Sequence, residues 1–215
     1  MKDMSKRKED INDEVVLRIK TYDYSFIAPF TFDGEREKNI NYKGCLSCKK
    51  CILHHKFKGL PTGNLNAKYM FVGEAPSTNR AGLNIEANYV WHDGPSSKLL
   101  KDALQSLDIL KDSFFTNVIK CSLDHNQSQR PEEYEYCMNN FLLKEIELVN
   151  PKYIVLMGNQ AFNAFMLMAD YIHQPYEGRK MMHPSYFIYK GKKFNDVADH
   201  VREVLKLNED DAIKK

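Results

Sequence analysis

With 215 residues, 43% hydrophobic and 28% charged, the chain can hold one large core, or one core and a small appendage, and has the balance of an ordinary globular protein. No apolar run reaches the roughly 20 residues of a bilayer span, and the opening MKDMSKRKED is too polar and mixed in charge for a secretory signal, so a cytoplasmic protein without membrane contact is expected. In that reducing setting five cysteines, an odd number, do not read as disulfide staples, and a net charge of +2 does not by itself announce a nucleic-acid partner.

In chain order, residues 1–44 stand apart. Residues 9–22 have helical spacing, with Ile11, Val15, Val16 and Ile19 on one side, and an irregular aromatic stretch follows; the segment is expected to be an extension docked on the core. GCLSCKKCILHH then carries Cys45, Cys48 and Cys51. From about residue 66, strands and helices alternate. KYMFVGEAP (68–76) is an apolar run stopped by Gly73 and Pro76, and SSKLLKDALQSL (96–107) has helical spacing. FFTNVIKCS (114–122) reads as a strand rich in aromatic and β-branched residues. A helix is expected over 131–149, with Pro131 at its first position, acids in its first turn, and Tyr134, Met138, Phe141, Leu142 and Ile146 on one face. KYIVLMGN (152–159) reads as a buried strand, 160–171 as a helix whose Met-rich face is core, and 179–185 as a short strand. A last helix over 195–207 turns Val197, Val201, Val204 and Leu205 inward, and 208–215 form a polar tail.

Four strands alternating with helices predict an α/β domain over 45–207, a three-layer α/β/α sandwich around a central four-stranded, mostly parallel sheet. In such sheets chemistry gathers in the loops at the carboxyl ends of the strands. Here those loops hold Gly-Glu-Ala-Pro, Asn-Val-Ile-Lys-Cys and His-Pro-Ser, so the polar oddities converge on one edge. Cys121 lies just past a strand core, Cys137 sits sixteen residues on in the next helix, and Cys48 and Cys51 form a Cys-x-x-Cys. Four thiolates brought together suit zinc or an iron–sulfur cluster. The plainer alternative makes Cys121 and Cys137 small buried hydrophobes, and His54 and His55 keep zinc open. Lysines surround the cysteines, and Arg179, Lys180, Lys190, Lys192 and Lys193 surround His-Pro-Ser. Such runs are commonly just solvated faces, but flanking two unusual motifs they suggest a surface for phosphates.

The order GEAP, TNVIKC, a cysteine-bearing helix, PKYIVLMGNQA and HPS resembles the iron–sulfur, family 4 type of uracil-DNA glycosylase over about residues 45–205. The resemblance implies a monomeric enzyme that flips uracil out of DNA and hydrolyses its N-glycosidic bond, leaving an abasic site for base excision repair. It implies a [4Fe-4S] cluster rather than zinc, held by Cys48 and Cys51 of CKKCIL with Cys121 and Cys137, with Cys45 spare and the cluster structural. Asn117 is expected to read the base, because a carboxamide offers the donor and acceptor that uracil's N3–H/O4 edge needs; Gly73 and Ala75 contribute backbone. His183 is expected to stabilise the departing uracil anion at O2, and Glu74 to orient water or the positive charge on the sugar. Pro184, Ser185, Tyr186, Arg179 and Lys180 are expected to meet DNA, with Tyr186 and Phe187 as candidate wedges. Each has a plainer alternative: a strand-end cap, a loop histidine, a surface acid, ordinary packing. After Pro76 the sequence departs from the family. Ser77, Thr78, Asn79 and Arg80 replace the usual glycine and acids, the following loop is longer, and His92, or Trp91 one residue away, falls where the family stacks a phenylalanine on the base. That departure leaves room for an enzyme acting on another altered base, or for a non-catalytic DNA-binding or replication accessory protein.

Overall fold

Each apolar run bounded by a turn becomes one strand of a single sheet in the computed structural model, which describes residues 45, 47–77, 90–91, 94–123, 131–167 and 177–207. The expected helix at 9–22 and the C-terminal tail lie outside the described residues. The strands are β1 (Thr62–Gly63), β2 (Tyr69–Gly73), β3 (Ser113–Asn117), β4 (Tyr153–Met157) and β5 (Glu177–Met181), in the order β1-β3-β2-β4-β5. The last four are parallel, as expected. The fifth strand is an addition: β1 pairs antiparallel with β3, Thr62 opposite Phe115, and two residues of Thr-Gly carry no period to read.

β3 ends at Asn117 rather than running on to residue 122: its paired register with β2 ends at Gly73, and the Val118 and Ile119 N–H groups make the last bonds to that segment, to Gly73 O (2.9 Å) and Glu74 O (2.8 Å). The chain leaves the sheet there and bonds to the lead-in segment: the Gly59 N–H donates to Lys120 O (2.7 Å) and the Ser122 N–H to Phe57 O (2.8 Å). This departure carries Lys120 and Cys121 out beside the cysteine-rich segment.

Helix α1 (Pro95–Ser106) opens on a proline whose missing N–H would be unpaired in any case. The expected 131–149 helix forms as α2 (Pro131–Cys137) and α3 (Leu143–Val149), joined by a π-helical turn at Met138–Leu142. Such turns insert an extra residue into the helical ladder and are frequent at functional sites. Then follow α4 (Asn159–Leu167), α5 (Pro184–Tyr189) and α6 (Phe194–Leu205).

Strand alternation sends Met70, Val72, Phe114, Ile154 and Leu156 to a core under the α2–α3 unit and α4. Tyr69, Phe71, Phe115, Val155 and Met157 go to a second core under α1 and α6. Two cores on one sheet make the expected three layers. Phe71 and Phe115 are fully buried and stacked at 5.5 Å across adjacent strands; each such side chain contributes about 1.5–3 kcal/mol by burial. One expectation fails. The core side of α4 is Ala161, Ala164 and Phe165, whereas Met166 is 54% and Leu167 67% exposed. Apolar residues all round that helix left the inward face undetermined by periodicity, and packing chose the small residues, which let α4 approach the sheet.

Candidate functional site

The carboxyl ends of β2 and β3 and the loop after β5 meet at a cavity of about 380 Å³. Gly73 and Asn117 are the last residues of their strands and stand opposite each other in register. A Cβ on Gly73 would lie 2.4 Å from Asn117 Oδ1 and 3.1 Å from Trp91 Cζ2, so only glycine lets both side chains close over the strand end. Asn117 is 2% exposed and lines the cavity, and its Oδ1 has no hydrogen-bond partner among the described residues. Leaving a buried acceptor unmade costs about 1–3 kcal/mol.

His183 caps α5. The Ser185 N–H donates to His183 Nδ1 (3.1 Å) and Ser185 Oγ lies 2.7 Å from the same nitrogen. A nitrogen that accepts a main-chain N–H carries no proton, so in the neutral ring the proton is on Nε2. Burial holds the His183 pKa below the ordinary value, which keeps the ring neutral. Trp91 lies against His183, ring centroids 5.6 Å apart, and both line the cavity. Trp91 is in the left-handed region (φ 58°), a strain of about 1–2 kcal/mol for a residue with a Cβ. The Ser97 hydroxyl holds it there by donating to Trp91 O. His92, the alternative stacking candidate, lies outside the described residues.

Glu74 follows Gly73 but does not line the cavity with Asn117 and His183. Its Oε1 accepts from the Tyr134 hydroxyl of α2 at 2.7 Å. Ala75 and Ser185 line the cavity, and Pro184 is buried at the start of α5. Tyr186 is 44% exposed, while Phe187 is buried in the second core, so packing and not a DNA wedge accounts for Phe187. Arg179 and Lys180 are not brought to the cavity. Arg179 lies 4.4 Å over the Tyr153 ring and donates to Val204 O (2.8 Å), and Lys180 Nζ lies 5.0 Å over the Phe162 ring. Alternation along β5 points the two to opposite faces of the sheet.

A second cavity, about 250 Å³, is lined by Cys45, Cys48, Cys51, Cys121 and Cys137. All five are free thiols. The four expected ligands are therefore together, and Cys45, read as the spare, sits with them and is 2% exposed. Burial pushes the Cys121 thiol up to about 12 and raises Cys45 and Cys137 as well, with neighbouring thiols adding to the shift. Burial therefore keeps these thiols protonated as free side chains, and any metal bound there would have to displace those protons. Among the described residues no group of three or more His, Cys, Asp or Glu is drawn tightly enough to hold a single metal ion. His54, an expected zinc candidate, is exposed, with Nδ1 3.0 Å from Cys51 O.

The sequence reading missed Tyr134 as a partner of Glu74. It also missed a buried pair, Lys120 and Glu145 (2.8 Å). The available signal was a lysine inside the otherwise apolar TNVIKC run and a glutamate beside Ile146 on the apolar face of the helix.

The description "Uracil DNA glycosylase superfamily" matches residues 60–206. The chain is 36% identical over 129 residues to a protein of Archaeoglobus fulgidus named type-4 uracil-DNA glycosylase, covering 57% of this chain and 62% of that one. Proteins of the same name from Pyrobaculum aerophilum and Thermotoga maritima are each 33% identical, over 56% and 55% of this chain and 60% of their own lengths. The matched part of this chain thus spans about 60% of the length of these relatives.

Proposed function

The chain belongs to the uracil DNA glycosylase superfamily, and on that footing we propose that it excises uracil from DNA as a monomeric, cytoplasmic repair enzyme of the type-4 kind. The observation that carries the proposal is the unpaired, buried Asn117 Oδ1 in the same cavity as a neutral His183. Uracil presents N3–H as a donor and O4 as an acceptor; Oδ1 accepts the first and Nδ2 donates to the second. Cytosine has a lone pair at N3 and an amino group at C4, so both contacts would fail, and the buried oxygen would stay unpaired.

A glycosylase needs the base outside the stack. Trp91 offers a ring for the flipped base, and stacking of this kind is worth about 1–3 kcal/mol per base. The C1′–N1 bond then breaks with its electron pair going to the uracil ring, where charge collects on O2. The Nε2–H of His183 donates to that oxygen. Water adds to C1′, and the proton it loses passes through the Glu74 carboxylate and solvent to the uracil anion, giving free uracil and an abasic sugar. Glu74 is the carboxylate proposed to orient that water from just outside the cavity lining, with Oε1 held by the Tyr134 hydroxyl and Oε2 turned to the water. Pro184 and Ser185 at the cavity and the exposed Tyr186 beside it are the contacts proposed for the DNA strand. Lys180 remains exposed for a phosphate, whereas the bonds of Arg179 count against it in that role. No helix among the described residues is long and apolar enough to cross a membrane.

The five thiols that line one cavity of about 250 Å³ support a [4Fe-4S] cluster, rather than zinc, as the group of a type-4 enzyme. Cys48, Cys51, Cys121 and Cys137 are the proposed ligands. The cluster's contribution is structural, fastening the lead-in segment and α2 to the sheet; the residues of the base cavity do the chemistry.

Purified under anaerobic conditions, the protein is expected to release free uracil from uracil-containing single- and double-stranded oligonucleotides, with hypoxanthine and xanthine as comparison bases. An iron-loaded sample that releases no uracil would defeat the proposal.

A further inference from the structure

Below Asn117 lies a charged pair that the proposed reaction does not use. Lys120 is 2% exposed and Glu145 0%. Taking two charges out of water generally costs more than their attraction returns, so such a pair calls for an account beyond stability. The Lys120 ammonium makes three hydrogen bonds: to Glu145 Oε2 (2.8 Å), to Thr116 Oγ1 (2.8 Å) and to the main-chain oxygen of Asn117 (2.7 Å). The Thr116 hydroxyl donates to the same Glu145 oxygen at 2.6 Å. Three donors and three acceptors fix the ammonium under the last two residues of β3.

Lys120 also faces the other way. It lines the thiol cavity. Its main-chain N–H is bonded to Cys137, and its carbonyl accepts from the Gly59 N–H at 2.7 Å. One residue therefore touches the carbonyl of the base reader, a candidate cluster ligand, and the segment that follows the Cys-x-x-Cys.

We infer that Lys120 is a positioning residue that ties the base-reading end of β3 to the thiol cavity, and that its ammonium is the buried counter-charge of whatever anionic group those thiolates hold. The inference rests on the proposed cluster and base pocket. Four thiolates around a cluster leave net negative charge in a low-dielectric site, where a fixed cation acts strongly. Glu145 balances the lysine from the far side and orients it. The lysine's other bond, to Asn117 O, holds the residue whose side chain waits in the base cavity. Cluster loading and base reading then share one side chain.

The experiment compares iron-loaded wild type with Lys120→Met, Glu145→Gln and the double variant Lys120→Met/Glu145→Leu. The double variant removes both charges and so avoids stranding a buried carboxylate. Protein-film voltammetry reads the cluster potential. Lys120→Met is expected to move it to more negative values, Glu145→Gln to more positive values, and the double variant to return close to wild type. A residue with only a packing role would not produce opposite signs. In base release, Lys120→Met and the double variant are expected to lose about tenfold or more in kcat, as for a lost hydrogen bond from a charged donor, with KM unchanged. Glu145→Gln, whose amide oxygen can still accept from the ammonium, is expected to lose less kcat than Lys120→Met.

If Lys120→Met does not fold, the other two variants decide. Potentials that do not move, or move the same way in both single variants, overturn the inference, as does wild-type kcat in the double variant. Wild type that carries iron but releases no uracil removes the proposed activity and leaves the potentials to judge Lys120. Wild type that cannot be loaded with iron removes both.

Discussion

A methyl group on Gly73 would come within 2.4 Å of Asn117 Oδ1. The two residues close adjacent parallel strands at the same register position, so the carboxamide sits over the bare Cα. Gly73→Ala is therefore expected to push Asn117 aside while leaving the sheet intact. A displacement of about 1 Å at a reacting site can cost on the order of 100-fold, and uracil release should fall by about that much with a melting temperature close to wild type. Wild-type turnover by Gly73→Ala would remove Asn117 from the proposed role.

In the proposed reaction His183 sets the pH behaviour. Its pKa is lower in the folded protein than in the unfolded chain because burial opposes the charged ring. As pH falls, the unfolded chain binds the proton first, so the stability owed to this group is intact above the ordinary histidine value of about 6.5 and declines as pH drops toward the folded pKa. Protonation would also place a proton on Nδ1, where the Ser185 N–H is bonded. Base release should stay level from pH 8 down through 6.5 and decline only at more acidic pH, and an imidazole NMR titration should show the ring resonance moving below the usual range. His183→Ala should lose about 100- to 1000-fold in kcat, the usual loss for one anion-stabilising donor. A His183 resonance titrating at or above the ordinary value would contradict the neutral assignment.

Tyr134 reaches Glu74 from the helix that carries Cys137, three residues away on the same face. Tyr134→Phe removes only the hydroxyl. A loss of about tenfold in kcat is expected, with iron content unchanged. In a Glu74→Gln background the same substitution should have a much smaller effect, since neighbours that act together are non-additive. Equal losses in both backgrounds would separate Tyr134 from Glu74.

The proposed register divides the thiols into four ligands, Cys48, Cys51, Cys121 and Cys137, and a bystander, Cys45. Cys121→Ser and Cys137→Ser should give colourless protein without the broad absorbance near 400 nm that thiolate-bound iron–sulfur clusters show, and with a lowered melting temperature. Cys45→Ala should keep both the colour and the iron content. Loss of iron in Cys45→Ala, with retention in Cys48→Ala, would reassign the register of the ligand pair.

Trp91 is the test of base stacking. Trp91→Ala should raise KM for uracil-containing single strands by about tenfold, in line with the stacking of one base on an aromatic ring, and Trp91→Phe should recover most of it. An unchanged KM would move the stacking role to another ring.

The α/β class, the four parallel strands and the direction of the site were determined by the sequence itself, because period, glycine and proline act locally: Gly73, Pro76 and Pro131 end or begin elements wherever the chain goes. The alternation of strands and helices placed the loops of Asn117 and His183 at the carboxyl edge of the sheet, whereas the roles expected of the two residues came from the family resemblance. Tertiary structure alone decided the pairings across that edge. The Tyr134–Glu74 bond joins residues sixty apart, and the Lys120–Glu145 bond joins residues twenty-five apart. Neither spacing has any local period. Likewise only packing turned the methionine-bearing flank of α4 outward, placed Cys45 among the other thiols, and bound Arg179 to α6. Local energetics specify which segment becomes which element. Which side chains then meet depends on how two layers dock on one sheet, and that is a property of the closed core.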